Sequence, residues 1–353
     1  MPGRAGHTMA AMRLQTRLLL TAAAALAARR ALHSPAGRYD LTGRSVLITG
    51  GSRGLGLALA RECLSRGANV TLMARTADDL RRAQERLNAG PRVQTVTGDV
   101  RRDGDAERAV QEAVRAYGRL DVLLNNAGII QIGPEANTTE QDYRDALEVN
   151  TLGPLRMVRA ARAHLRGGGR VLIVSSVGGR VAIPHLGPYS VSKFASAGLG
   201  QALRAELARE GIVVSTVLPG LMRTGSPLNA PVKGQVRREY ALIATLAALP
   251  VVSLDPSEAA RRILNALEVG RAETMVGGPA AVLRAVQGAA PELTASLMGF
   301  AARLLPGPAA SNRAVTGRDA EGTFTQGNPM KRAAEGTFNQ RRAHGRGPGD
   351  RED

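Results

Sequence analysis

Tyr189 and Lys193 stand four residues apart, and Ser175-Ser176 precede them at the end of an apolar run. On a helix, an interval of four puts two side chains on one face, side by side. A free phenol ionises near pH ~10, too high for an efficient proton carrier near neutrality. An adjacent ammonium favours the phenolate and pulls that value down. A serine hydroxyl just past a strand can donate to an oxygen on which negative charge develops. These residue types together describe proton exchange with a carbonyl or alcohol oxygen. Of the 47 basic residues only Lys193, Lys233 and Lys331 are lysines. The first of them falls where a compact, mobile ammonium is needed and a broad guanidinium of very high pKa would not serve.

A second constellation lies upstream. Thr49-Gly50-Gly51-Ser52-Arg53-Gly54-Leu55-Gly56 follows the strand-like run Ser45–Ile48 and opens an Ala/Leu-rich helix. Gly50, Gly54 and Gly56 let the chain turn sharply and let its backbone approach a pyrophosphate. The helix then aims free N–H groups and the positive end of its dipole at the phosphates, which makes Ser52, Arg53 and Leu55 cofactor-binding positions as well. At the end of the next strand, NAD enzymes place an acid for the ribose 2′-hydroxyl. Here the chain reads Ala74-Arg75-Thr76. The missing acid, with Arg75 and Arg53 at hand, predicts recognition of a 2′-phosphate. NADP(H) is the preferred cofactor on this reading, with NAD(H) as the alternative.

Ser176, Tyr189 and Lys193 also stand in a Ser-x12-Tyr-x3-Lys pattern that resembles the short-chain dehydrogenase/reductase family, over a stretch from about Tyr39 to Val276. Thr49–Gly56 resembles the family's TGxxxGxG element and Asn125–Gly128 its NNAG element. The resemblance implies that Asn126, Ala127 and Gly128 line the cofactor, that Asp99 and Val100 meet the adenine, and that Pro219, Gly220 and Thr224 hold the nicotinamide carboxamide. Tyr189 and Lys193 would both touch the nicotinamide ribose. Asn150 is similar to the tetrad asparagine that orders a water chain feeding protons to Lys193. The interval to Tyr189 selects Ser176 over Ser175. The implied activity is an NAD(P)-dependent oxidoreductase that reduces a carbonyl or oxidises the corresponding secondary alcohol. The implied assembly is a cytoplasmic homo-oligomer, dimer or tetramer.

In that family the segment after the Pro-Gly element covers the substrate. Here it spans about Gly225 to Leu254 and mixes Leu228, Tyr240, Leu242, Leu246 and Leu249 with Lys233, Arg237 and Arg238. It suits a medium-to-large hydrophobic ketone or acyl compound. His185, just before Tyr189, joins Ser176 and Tyr189 as a substrate-side candidate. Two rivals stand beside this reading. One is an NAD-linked dehydrogenase on the same fold; the other is a non-catalytic nucleotide-sensing scaffold, which would typically have lost the Tyr or the Lys.

The elements that must position these residues read as an α/β domain. Ser45–Ile48, Asn69–Ala74, Arg92–Thr97, Leu120–Leu124, Arg170–Val174 and Ile212–Leu218 are short aliphatic or β-branched runs, separated by helical segments. Such alternation predicts a parallel sheet covered on both faces. The family resemblance makes it a Rossmann-type, doubly wound, seven-stranded sheet in a single domain over residues 39–278. Thr76 with Asp79 predicts a capping box, and Asp255-Pro256 with Glu258 another helix start.

Residues 1–38 form a basic and apolar arm around Leu18–Ala28. Its alternatives are an undedicated arm, a membrane-proximal segment giving peripheral membrane contact, or a cleaved signal. Residues 279–306 read as an apolar helical extension. Residues 307–353 read as a tail too polar to order itself, carrying an internal echo, AEGTFTQ at 320–326 and AEGTFNQ at 334–340. The net charge of +17 is spread through helical patterns without aromatic interleaving, which argues against a nucleic-acid partner. Cys63 reads as a small core residue. His164 and His33 have no recognisable partner, and no spacing suggests a metal.

Overall fold

Short runs of buried aliphatic residues become the strands of one parallel sheet. They are β1 (Ser45–Thr49), β2 (Asn69–Ala74), β3 (Val93–Thr97), β4 (Val122–Asn125), β5 (Arg170–Val174), β6 (Val213–Pro219) and β7 (Glu273–Val276). The computed structural model describes residues 37–322 together with 331, 332, 336–338 and 340. The strand order is β3-β2-β1-β4-β5-β6-β7, every neighbouring pair parallel. Order reverses between β1 and β4, and at such a switch point two loops diverge and leave a crevice at the carboxyl ends of the strands.

Helices cover both faces. On one side α1 (Gly54–Ser65) packs with α8 (Pro256–Val269). Leu57, Leu59 and Cys63 meet Ile263, Leu264 and the β1 residues Val46 and Ile48 in one buried cluster. On the other side α3 (Asp103–Tyr117) and α5 (Gly153–Leu165) bring Ala109, Val110, Met157 and Ala161 against Leu47, Leu123 and Ile173. Alternation along β1 thus divides Val46 and Ile48 from Leu47, one face each. The remaining helices are α2 (Ala77–Leu87), α4 (Glu140–Leu147), α6 (Gly187–Glu206), α7 (Val236–Ala248), α9 (Gly278–Ala289) and α10 (Pro291–Arg303). The last two carry most of the apolar stretch 279–306, where Val282, Leu293, Leu297, Phe300 and Leu304 are exposed.

The helix starts divide instructively. Asp255 caps α8 by accepting from Ser257 N and Glu258 N, as its sequence predicts. Thr76 makes no side-chain cap on α2, so the expected box does not form; Asp79 turns instead to Arg82. A full capping box stands at Thr139–Asp142.

The tail requires a correction. Val315–Thr316 pairs antiparallel with Pro231–Val232, and Ala320, Lys331, Phe338 and Gln340 are buried. Average composition missed this because a few side chains suffice when the domain already supplies the apolar surface. The basic arm with Leu18–Ala28 and His33 lies outside the described residues. Among the described residues no helix is long and apolar enough to cross a membrane, and no cluster could hold a metal ion. Cys63 is buried, and burial pushes its thiol up.

Candidate active site

The crevice at the switch point is built by two loops that hold each other. After β1 the chain turns through Gly50, whose φ is +64°. After β4, Asn126 Nδ2 donates to Thr49 O (3.0 Å) and Gly50 O (3.1 Å), while Thr49 Oγ1 accepts from Asn126 N (3.1 Å) and Ala127 N (3.0 Å). A Cβ on Gly56 would lie 2.1 Å from Gly50 O, so Gly56 lets α1 seat directly on the loop rather than touching a ligand. α1 starts with no acid in its first turn and no side-chain cap. No side chain of its own first turn therefore neutralises the positive end of that helix, which favours an anion beside it.

One cavity of about 340 Å³ runs from this loop to Ser176, Tyr189 and Lys193. Its wall near the loop contains Arg53, Arg75, Asp99 and Val100; Pro219, Gly220 and Thr224 also line it. Gly50, Ser52, Gly54, Leu55, Asn126, Ala127 and Gly128 complete the sequence-derived lining. The size and the ordered lining fit an elongated, anionic dinucleotide. Burial works to raise Asp99, but the Arg101 guanidinium, in contact at 2.6 Å, outweighs it and holds the carboxyl below its ordinary value.

α6 carries Tyr189 and Lys193, and several hydroxyls fix its position. Ser175 Oγ donates to Lys193 O (2.7 Å), and Thr151 Oγ1 donates to Ser192 O (2.9 Å). Asn150 sits in a π-helical turn, Glu148–Leu152. Its Nδ2 donates to Ser192 Oγ (2.8 Å) and Ile129 O (3.0 Å), and its Oδ1 accepts from Ile129 N (2.9 Å). Asn150 thus stands behind the cavity wall, while Ser175 and Ser176 both line the cavity and Ser175 Oγ also anchors the helix. Ser176 Oγ accepts from Gly178 N at 3.1 Å.

Lys193 Nζ donates to Val174 O (2.9 Å) and lies 5.8 Å from the Tyr189 ring centroid. Burial pushes the ammonium down to about 8. Burial also raises the Tyr189 phenol, opposed by a hydrogen bond with Ser176. The sign is opposite to the lowering expected from the Tyr-Lys spacing, because desolvation of the partly buried phenol outweighs its hydrogen bond with Ser176.

His185 departs from its expected place. Its φ is +62°, its carbonyl accepts from Gly133 N (2.9 Å), and its Nδ1 lies 2.9 Å from the Glu239 carboxylate on α7. It does not line the cavity. The covering segment also differs from expectation. Leu228 and Tyr240 are buried, and Lys233 pairs with Asp142 at 2.5 Å, so these residues pack the cover itself. The cavity is reached instead by Ser226, Asn229, Ala230 and Pro231, facing Ile129 and Ile130. Sequence reasoning also missed Asp79, an acid in the wall whose charge is met by Arg82, and Gln340 from the tail. No local spacing signals either one.

A family model described as short chain dehydrogenase matches residues 44–232. The chain is 34% identical over 236 residues to the oxidoreductase UcpA of Salmonella typhimurium, covering 65% of this chain and 86% of that one. It is 32% identical over 181 residues to a hydroxynaphthalene reductase of Aspergillus fumigatus, covering 51% and 66%. A crystal structure of a short-chain dehydrogenase from Streptomyces avermitilis superposes with a TM-score of 0.62 at 30% identity, over 74% of this chain and 97% of that one.

Proposed function

The chain belongs to the short-chain dehydrogenase family, an NAD(P)-using oxidoreductase group acting on small molecules, and from that premise we propose that it is an NADP(H)-dependent carbonyl reductase for hydrophobic ketones or acyl compounds. One observation carries the reading: a single cavity joins the glycine loop and Arg75 to Ser176, Tyr189 and Lys193.

Arg53 and Arg75 line the cavity and would offer guanidinium groups to a 2′-phosphate, while Asp79 in the same wall is paired with Arg82. The bound cofactor supplies the hydride; this chain's residues bind, orient and handle the proton. Ser176 Oγ donates to the substrate oxygen as it gains negative charge. Tyr189 Oη gives that oxygen its proton, completing the alcohol. The raised phenol pKa suits this direction, since Tyr189 stays protonated at neutrality and ready to act as an acid. Lys193, beside Tyr189, holds the ribose and favours the phenolate left behind. Asn150 is a positioning residue, fixing Ser192 and the Ile129 backbone around the lysine. Ile129, Ile130, Ala230 and Pro231 give the substrate an apolar wall.

A panel of aliphatic and aromatic ketones, assayed with NADPH and with NADH, tests the proposal. Turnover is expected on bulky apolar carbonyls with NADPH favoured. Equal rates with both cofactors would remove the NADP assignment, and turnover confined to small polar carbonyls would remove the substrate class.

A further inference from the structure

We propose that the C-terminal segment around Phe338 and Gln340 is part of the cofactor site, with the Gln340 side-chain amide donating to the pyrophosphate of the bound dinucleotide. The proposal rests on the family's cofactor occupying the groove described above.

Four contacts fix the segment there. Phe338 is 4% exposed and lies in the same buried cluster as Leu55 and Leu80. Its carbonyl accepts from Gly54 N, the first N–H of α1, at 2.9 Å. Arg86 on α2 donates to the carbonyls of Gly336 and Thr337. Asn229 Nδ2, from the covering segment, donates to Gln340 Oε1 at 2.9 Å and lies 3.4 Å from Gln340 O. The tail therefore crosses from the glycine loop to the cover.

These contacts also orient the Gln340 amide. A backbone carbonyl can only accept, so Asn229 turns its NH₂ toward Gln340 O. The same NH₂ then takes Oε1 of Gln340, which leaves Nε2 on the other side of the amide. That side is the groove: a Cβ built on Gly54 would lie 3.0 Å from Gln340 Nε2, with Thr224 the next neighbour at 3.7 Å. Gln340 is 4% exposed and lines the cavity. A neutral donor thus stands beside the N-terminus of α1, where the N–H groups of Leu55 and Gly56 lack intrahelical partners by geometry. A hydrogen bond donated to an ionised oxygen is among the stronger kinds. With Gly54 N–H already taken by Phe338 O, Gln340 supplies a replacement donor from outside the Rossmann sheet.

The sequence echo acquires a meaning. In the first copy Ala320 is buried with Tyr240 in the cover's cluster, and Glu321 meets Lys331 and Tyr240 Oη. In the second copy Phe338 and Gln340 meet the glycine loop. One copy seats the tail on the cover and the other on the loop.

The test uses the full chain and two nucleotides: NADPH, and adenosine 2′-monophosphate, which has no pyrophosphate. Gln340→Ala is expected to weaken NADPH binding about tenfold and Gln340→Glu, which sets a carboxylate against the phosphates, further still. Both should leave adenosine 2′-monophosphate affinity at the parental value. Unchanged or tighter NADPH binding in Gln340→Ala would overturn the proposal, the tighter result marking the segment as a plug. Equal weakening of both nucleotides would overturn it as well, since the effect would then be general. A parent chain that binds neither NADPH nor NADH would defeat the cofactor reading itself, a result distinct from parental binding that ignores Gln340.

Discussion

Burial holds Lys193 at about 8, so its ammonium begins to lose its proton within an accessible pH range. A dinucleotide's phosphates favour the charged form, so the bound protein keeps that proton to higher pH than the free protein. Binding then takes up a proton above pH 8 and weakens as pH rises. NADPH affinity, followed by nucleotide fluorescence, should be level below that point and fall by up to about tenfold per pH unit above it. Lys193→Met should bind weakly at every pH and lack the falling limb. Persistence of the limb in Lys193→Met would place the titrating group elsewhere. Beside the adenosine end, Ala74→Asp sets a carboxylate near the 2′-phosphate position. The ratio of NADPH to NADH affinity should drop about tenfold or more, and an unchanged ratio would mean that Arg75 and Arg53 do not read that phosphate. Tyr189 and Lys193 were legible because one helical face fixes their relation over four residues. His185 was misplaced because its partner, Glu239, is brought to it by tertiary packing, which no interval encodes; Asp79 has Arg82 one helical turn on, a pair that the expected capping box concealed.

The strands were legible as elements because burial on both faces demands continuous aliphatic runs, and Asn69–Ala74 and Arg170–Val174 match their expected bounds. Glu273–Val276 was not read from its residues, since its mixed composition suits an edge strand with only β6 beside it. The π-helical turn that holds Asn150 was equally hidden, because its partners Ile129 and Ser192 lie 21 and 42 residues away. Two predictions belong at this scale. Gly56→Ala drives a methyl toward Gly50 O and should cut dinucleotide affinity by at least about tenfold, as the loop must move to relieve the clash; parental affinity by calorimetry would show the loop to be more yielding. At the opposite end of the sheet, Asp121 accepts from Ser45 N, Arg44 and Arg119. Burial works to raise its carboxyl, but these donors outweigh it and hold the pKa below the ordinary value. That contribution is present above the unfolded-state pKa and lost as pH falls through the folded one. Asp121→Asn should cost about 2 kcal/mol at neutral pH and progressively less as pH falls below the ordinary carboxylate range, read from denaturant melts at neutral and acid pH. An equal cost at both would separate the effect from ionisation.

At the scale of the whole molecule, part of the Arg-rich charge is held in ion pairs. Arg66 joins Glu62 and Glu268, and Arg162 and Arg166 both meet Glu210. Basic residues still outnumber acidic ones, 47 to 30. The described residues from Tyr39 onward form one compact unit, and Phe338 and Gln340, in the tail that composition set aside, return to its central groove. Long-range returns of this kind are invisible to windows of ten or twenty residues, because the tail's few anchors find their complement only after the sheet exists. Sheet, loops and covers converge on a single oxygen atom, Tyr189 Oη, and the account stands on what that atom does. The direct test is single-turnover oxidation of bound NADPH by an authentic ketone in Tyr189→Phe, which keeps the ring and removes its proton. NADPH affinity should match the parent while hydride transfer slows by at least about a hundredfold. Hydride transfer at the parental rate in Tyr189→Phe would contradict the account.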